Sequence, residues 1–504
     1  MTPVTTVVEA RMIRALRIDR SDTVATLVDD ARAGDAVVVD GASIMMRGDV
    51  ARGHKVAMRD VATGQDVIKY GSPIGHATRA IAIGEHVHGH NLATALSGQA
   101  DYAFEGGADI AATVAPGNAT FQGYRRADGR VGTRNEIWIL PTVGCVARTA
   151  ERIAVRSAVA LSDVVDGVHA FTHPHGCSQL GLDLAGTRAI LASLACHPNA
   201  GGVLIVGLGC ENNQIAALLA EIPAWRRPAI RTLTAQASGD EVEEGCALVA
   251  ELAANAVCER TTVGLDSLVV GVKCGGSDGL SGLTANPLVG RVSDRVTAGN
   301  GRVILTEIPE LFGAEGLLMH RAANERVFDR LVGVVNGFKQ YFLDHGEPVS
   351  ENPSPGNIAG GITTLEEKSL GAVQKAGRAA LADVIGYGER ATADGLTLLE
   401  APGNDAVSST ALAAAGATVI LFTTGRGTPL GFPVPTVKIS SNSDLAARKP
   451  GWIDFDAGRV LDDGFDATTD ALLDRICSIV SGEETAAERN GEREIAIWKR
   501  GVTL

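Results

Sequence analysis

IWILPTVGC (residues 137–145) is an apolar run closing on a cysteine beside a glycine, and three further stretches repeat it. They are VHAFTHPHGC (168–177), VLIVGLGC (203–210) and LVVGVKCGG (268–276). Cys145, Cys177, Cys210 and Cys274 are spaced 32, 33 and 64 residues apart, the last interval being two periods. A strand, a turn, a helix and a return loop together occupy about 30 residues, so the spacing predicts successive βα units. Segments around it alternate accordingly. Strand-like 137–140 precedes helix-like 147–160, 203–206 precedes 214–222, 229–234 precedes 241–256, and 267–272 precedes 287–296. The alternation resumes with 396–399, 409–415 and 419–423. Such alternation favours parallel sheets covered by helices. The expected class is α/β, with two lobes of mainly parallel sheet at 123–260 and 261–504.

Residues 1–98 read differently. Short alternating runs such as AVVVD and HKVAMRD are cut by Gly, Ser and Pro turns, the texture of a small β-rich domain. Residues 99–122, rich in Gly and Ala, form the expected linker. A helix with Leu331, Val334, Phe338 and Tyr341 at helical spacing is expected to stop at His345-Gly346. Thr364, three residues before Glu367, predicts a capping box.

Composition narrows the function. The 504 residues carry a net charge of −14, which disfavours nucleic acid and anionic membranes as partners. No run approaches the roughly 20 apolar residues of a membrane span. MTPVTTVVEA at the N-terminus lacks the pattern of a secretory signal. Eight cysteines without a targeting segment predict reduced thiols and a cytoplasmic protein. GLGCEN (207–212) has Asn where the dinucleotide fingerprint needs Gly, so no nucleotide is expected.

In open α/β sheets ligands bind beyond the carboxyl ends of the strands. The four cysteines would then reach one edge and hold a soft or borderline metal, as an open iron site or a cluster with one free position. His175 is a further candidate ligand, and Thr306-Glu307 adds a carboxylate one period on. Cys196, Cys246, Cys258 and Cys477 sit in helix-like segments and read as core. In EHVHGH (85–90) strand alternation puts His86, His88 and His90 on one face. With His54 and Lys55 of GHKVAMRD they could serve as general acid or base. KCGGSDGLSG (273–282) suggests a backbone nest for an anion. Arg134-Asn135 suggests a carboxylate fork.

These motifs together resemble the altronate/galactarate dehydratase family of sugar-acid hydro-lyases. The likeness runs through GYRRADGRVGTRNEIWILPTVGC, HPHGCSQLG, KCGGSDGLSGLTANPLVG, ENPSPGNIAGGITTLEEKSLG and LEAPGNDAVSSTALAAAGATVILFTTGRGTP. Residues 1–98 are similar to the SAF (β-clip) domain that opens longer members. The resemblance implies dehydration of an aldonic or aldaric acid to a 2-keto-3-deoxy acid. It implies Fe2+, with Mn2+ or an iron–sulfur centre as alternatives, and a homodimer. On this reading Cys145, His175, Cys177, Cys210 and Cys274 supply the metal ligands. His54, His88 or His90 supplies the proton donor, and Lys69 or Lys273 orients the substrate carboxylate. Arg134, Asn135, Ser277, Asp278, Asn286, Asn404 and Asp405 bind the substrate. Within the family an altronate-type aldonate is the expected substrate and galactarate the second. A related lyase of sulfonated hydroxy acids and a non-catalytic sugar-acid sensor are the remaining alternatives.

Overall fold

A computed structural model describes residues 13–106 and 119–503. The segment MTPVTTVVEA and linker residues 107–118 lie outside the described residues. Residues 13–93 build two small sheets. One runs Ala42–Met45, Ala36–Val39, Ile13–Leu16, Val24–Leu27, Lys55–Ala57, His86–Val87, and the other joins Asp66–Lys69, Ser72–Ala77 and Leu92–Ala93. In AVVV (36–39) burial alternates, so every second side chain enters the core. This is the β-rich domain expected before two α/β lobes with parallel sheets.

The second lobe holds four parallel strands, β1 (Glu136–Pro141), β2 (Gly167–Ala170), β3 (Ala200–Gly207) and β4 (Ile230–Thr234), in the order β2-β1-β3-β4. Helices Ala147–Leu161 and Glu241–Asn255 cover one face, meeting Ile137 and Ile139. Helix Gly181–Ala195 covers the other, meeting Trp138 and Leu140. Both faces are dry, which is why EIWILP reads as a continuous apolar run.

The third lobe holds seven parallel strands: β5 (Val269–Cys274), β6 (Arg302–Leu305), β7 (Leu381–Ile385), β8 (Gly395–Leu399), β9 (Val419–Thr424), β10 (Thr436–Ser440) and β11 (Phe455–Asp456). Their order is β7-β8-β6-β5-β9-β10-β11. The chain leaves β5 toward β6 and leaves β9 toward β10, in opposite directions. The ends of β5 and β9 are therefore the switch point at which such sheets bind ligands. Helix Asp405–Ala414 packs on helix Gly181–Ala195, so the two lobes share one core. Helix Glu325–Asp344 ends on His345 and on Gly346 at φ +75°, as its sequence predicts. Among the described residues no helix is long and apolar enough to cross a membrane.

The β-rich domain sits on the third lobe at closest range near Gly279. A Cβ there would lie 1.8 Å from the Gly53 carbonyl oxygen, so only glycine allows the approach.

Arg134 and Asn135 are interior struts. Arg134 is buried, paired with Glu488, and donates to the carbonyls of Thr133, Ile479 and Glu483. Asn135 donates to Ala256 O and accepts from Arg126. Arg134 has no donor left for a substrate carboxylate, because the guanidinium staples the second lobe to the C-terminal segment. Removing one partner of a buried ion pair costs about 3 kcal/mol or more. Arg134→Ala should lower stability by about that amount, read as a shift of the denaturation midpoint, with substrate KM unchanged.

Candidate functional site

The site begins with one carboxylate. Glu367, on helix Leu365–Ala372, is buried and accepts from Lys55 Nζ and Lys69 Nζ, each at 2.8 Å. Both lysines come from strands of the β-rich domain. Thr364 caps the helix by accepting the Glu367 N–H, but the Glu367 side chain does not complete a capping box. It turns to the lysines and to the Thr363 N–H. Burial would raise Glu367, yet the two ammonium groups outweigh it and hold the carboxyl down at about 2. One carboxylate cannot compensate two cations. Burial, offset in part by Glu367 and aided by the charge of Lys69, brings Lys55 down to about 8. Lys69 also suffers burial but is raised by Glu367.

Lys55 follows His54, and the histidines gather above it. Rings of His54, His86 and His88 lie 5.1–5.3 Å apart, and His90 stands 5.4 Å from His86. Strand alternation does not produce this cluster. Only His86–Val87 is strand, and the chain then turns, with the His88 N–H donating to Asn91 Oδ1. His88 Nε2 lies 3.1 Å from the Ile358 carbonyl and His54 Nε2 3.4 Å from that of Ala359. These carbonyls belong to the short helix Pro355–Ala359 within ENPSPGNIAGG, which lies over the switch point and which its two prolines did not lead one to expect. Burial lowers His54 and His88 from the ordinary histidine value, and the same cause takes His86 to about 3. His54, His86 and His88 are therefore neutral at physiological pH.

Beneath lies a denser ionic centre. Cys274, Glu307 and Glu310 bring ligand atoms within 4.8 Å of one another, the only such group of metal-binding types among the described residues. Three buried lysines already face it: Lys273 at 2.9 Å from Glu307, Lys368 at 2.7 Å from Glu310, and Lys375 at 3.1 Å from Cys274 Sγ. Lys273 also pairs with Asp405, whose neighbour Asn404 caps helix Asp405–Ala414. Burial, then the Glu310 charge, pushes the Cys274 thiol up to about 12, and burial raises Glu307 to about 7. Three cations balance three carboxylates around a neutral thiol. As arranged, a dication would have to displace ammonium groups, so the trio does not fit one.

The remaining sequence-predicted residues scatter in role. Asp278 accepts from Ser281, Ser441 and Asn442 at the switch point, while the Ser277 carbonyl takes the Asn357 amide. Asn286 is spent on Gly371 O and Thr423. The 273–282 loop is a nest already filled in part by the protein. Its N–H groups at Cys274, Gly275, Asp278 and Gly279 donate to Glu307, Thr423, Ser281 and Gly360. Cys145, Cys177 and Cys210 are exposed at the end of the four-stranded sheet, whereas Cys274 is buried at the end of β5 in the other lobe. The expectation of four sulfurs around one ion is therefore corrected, because the period continues across two separate sheets. His175 stands beside His173, ring centroids 6.2 Å apart, and burial lowers its imidazole from the ordinary value. Glu310, Lys368, Lys375 and Arg426 escaped sequence reasoning. Arg426 alone left a signal, as a glycine-flanked arginine closing the apolar VILFTTGRG.

Family descriptions match along the chain in order. "Altronate/galactarate dehydratase SAF domain" covers residues 13–95. "D-galactarate dehydratase/Altronate hydrolase, second domain" covers 123–257, and "D-galactarate/Altronate dehydratase, C-terminal" covers 265–503. The chain is 49% identical over 494 residues to the altronate dehydratase of Escherichia coli (strain K12), spanning 97% of this chain and 99% of that protein. It is 47% identical, with the same coverage, to the altronate dehydratase of Bacillus subtilis (strain 168). Identity to the galactarate dehydratase (L-threo-forming) of E. coli K12 is 33% over 464 residues, 88% of each.

Glu367 also sets an acid limit. With a folded carboxyl at about 2 against an ordinary 4.5, it contributes stability present above pH 4.5 and lost as pH falls toward 2. Glu367→Gln should be less stable at neutral pH and lose less on acidification, read as denaturation midpoints from neutral pH to about 3.

Proposed function

The chain belongs to the D-galactarate/altronate dehydratase family, and on that premise we propose that it removes water from altronate to give a 2-keto-3-deoxy acid. The observation that carries the reading is the neutral histidine cluster docked over the switch point of the seven-stranded sheet. Near-equal identity to two altronate dehydratases, against 33% to galactarate dehydratase, favours the aldonate over the aldarate.

The chemistry follows from what these groups can do. The C2 proton of a sugar acid lies beside a carboxylate that resists a second negative charge. A neutral imidazole, His54 or His88, accepts that proton as the C2–H bond breaks. Electrons flow toward C3, and the C3–O bond breaks as an imidazolium of the same cluster gives up its proton to the departing hydroxyl, which returns the cluster to its neutral state. Water leaves, and the enol relaxes to the 2-keto acid. Lys55, brought down to about 8, spends its three N–H donors on Gly361 O, Thr363 Oγ1 and Glu367, and so fixes the strand that carries His54. Arg426, exposed after β9 and 3.4 Å from Gly356 O, offers a guanidinium fork for the substrate carboxylate. Lys69 and Lys273 are buried in ion pairs and act on the substrate only through Glu367, Glu307 and Asp405.

A metal cofactor, iron in this reading, would stabilise the enediolate by taking up charge. The lysine-filled Cys274 centre supplies no place for it, so no step is drawn there. We further infer a cytosolic homodimer. Eight free thiols suit a reducing compartment, and Val155 and Val159 leave an apolar stripe on the outer face of helix Ala147–Leu161.

Assay of altronate, galactarate, other sugar acids and sulfolactate for 2-keto acid should give turnover chiefly with altronate. Preference for any other acid would overturn the substrate. His54→Ala and His88→Ala should each lower kcat by about 10²–10⁴. Because both imidazoles are held below the usual value, the neutral base persists on acidification. The acid limb of kcat/KM should thus fall below about pH 6.5. Full turnover in both variants would remove the histidines from the mechanism.

A further inference from the structure

The four-stranded sheet carries, at its amino edge, a basic cavity that the dehydration does not use. It lies where the chain enters β1, β3 and β4, at the opposite end of the strands from Cys145, Cys177 and Cys210. Arg125, Arg126, Arg130 and Arg226 line it, in a chain whose net charge is −14. YRRADGRV (124–131) supplies three of them. Strand Thr120–Arg125 folds back on Val131–Gly132, and Gly129 at φ +86° completes the turn between them. One hairpin end therefore presents all three guanidinium groups. Arg226 comes from the short helix Ala224–Ala229 that leads into β4.

Three of these charges have no counter-charge in the chain. Arg130 pairs with Asp128 at 2.6 Å and occupies that carboxylate. Arg226 is buried, yet its Nε and Nη2 donate to the carbonyls of Ala195 and Ala200, each at 2.7 Å. Arg126 donates to the Pro198 and Arg134 carbonyls and to Asn135 Oδ1. Among the described residues neither is paired with a carboxylate, and neither is the exposed Arg125. Carbonyls fix where a guanidinium sits but leave its charge whole. Burial brings Arg226 down to about 10 and lowers Arg126 from the ordinary arginine value, so both stay cationic at neutral pH while poorly solvated. An anion in the cavity offsets that loss of solvation. Three unpaired cations suit a dianion better than a single carboxylate.

The rest of the wall is largely apolar. The exposed indole of Trp225 stands 5.2 Å from the Arg130 guanidinium, with Pro198, Pro228 and the exposed Val257 also at the cavity. An indole at the mouth of a basic cavity offers a flat face for a ring. The volume of about 280 Å³ is at the small end for a ligand site and admits one sugar ring with its phosphate.

We propose that this cavity binds the phosphate monoester of a sugar, with the phosphate on Arg125, Arg126 and Arg226 and the ring against Trp225. The site is separate from the histidine cluster, which sits over the carboxyl ends of the seven-stranded sheet.

The test is calorimetric titration of the full-length protein with glucose 6-phosphate, ribose 5-phosphate, adenosine monophosphate, inorganic phosphate and glucose at one ionic strength. At least one sugar phosphate should bind once per chain and about tenfold tighter than inorganic phosphate, and glucose should not bind. Arg125→Glu and Trp225→Ala alter exposed side chains and should each weaken that binding about tenfold. Arg227→Glu makes the same charge change on a neighbouring exposed residue outside the cavity and should alter affinity by less than about twofold. Circular dichroism of every variant should match the parent. No binding of either sugar phosphate, tighter binding of adenosine monophosphate, or unchanged affinity in Arg125→Glu and Trp225→Ala would overturn the proposal. Equal weakening by Arg227→Glu would do the same, since it would reduce the effect to overall charge. None of these readouts involves turnover, so they stand or fall separately from the substrate assignment.

Discussion

A carboxylate buried between two ammonium groups fixes how the molecule is assembled. Glu367 comes from the third lobe, and Lys55 and Lys69 from the β-rich domain, so the ion triad forms only when the two parts are docked. Buried charge of this kind adds little net stability over an apolar contact, yet a mismatch is severely penalised. It therefore selects one docking geometry. The histidine cluster, the ENPSPGN loop and the switch point meet because that geometry is enforced.

The fold was largely legible because its signal is local. Apolar runs closing on a cysteine beside a glycine mark the strand ends, and the period of the cysteines reports βα units. The period misled at one point. It continues from Cys210 to Cys274 although the chain has changed sheets, so regular spacing did not mean a shared edge. The short antiparallel pairing of Thr120–Arg125 with Thr261–Gly264 also escaped, since it joins segments far apart in sequence.

The site was legible only where a side chain's chemistry stands out by itself. Histidines and cysteines do so: the structure gathers His54, His86, His88 and His90, and puts Cys145, Cys177 and Cys210 after three adjacent strands of one sheet. Lysine and glutamate are common surface residues, and nothing in the sequence marks Lys368, Lys375 or Glu310 as buried. Arg134 misled for the opposite reason. Its position beside the first core strand is that of a ligand-binding fork, but its reach is used to fasten the C-terminal segment. Buried ion pairs are agreements between distant residues and leave no mark in either neighbourhood.

Gly144, Gly176 and Gly209, the glycines before the three exposed thiols, carry an evolutionary corollary. Each sits against another loop's carbonyl or side-chain oxygen, so the space for a methyl group is already filled by a different stretch of chain. Drift at one of the three would press on a second loop rather than distort its own. Such positions can change only in concert, and a lineage that abandons one is expected to abandon the whole set.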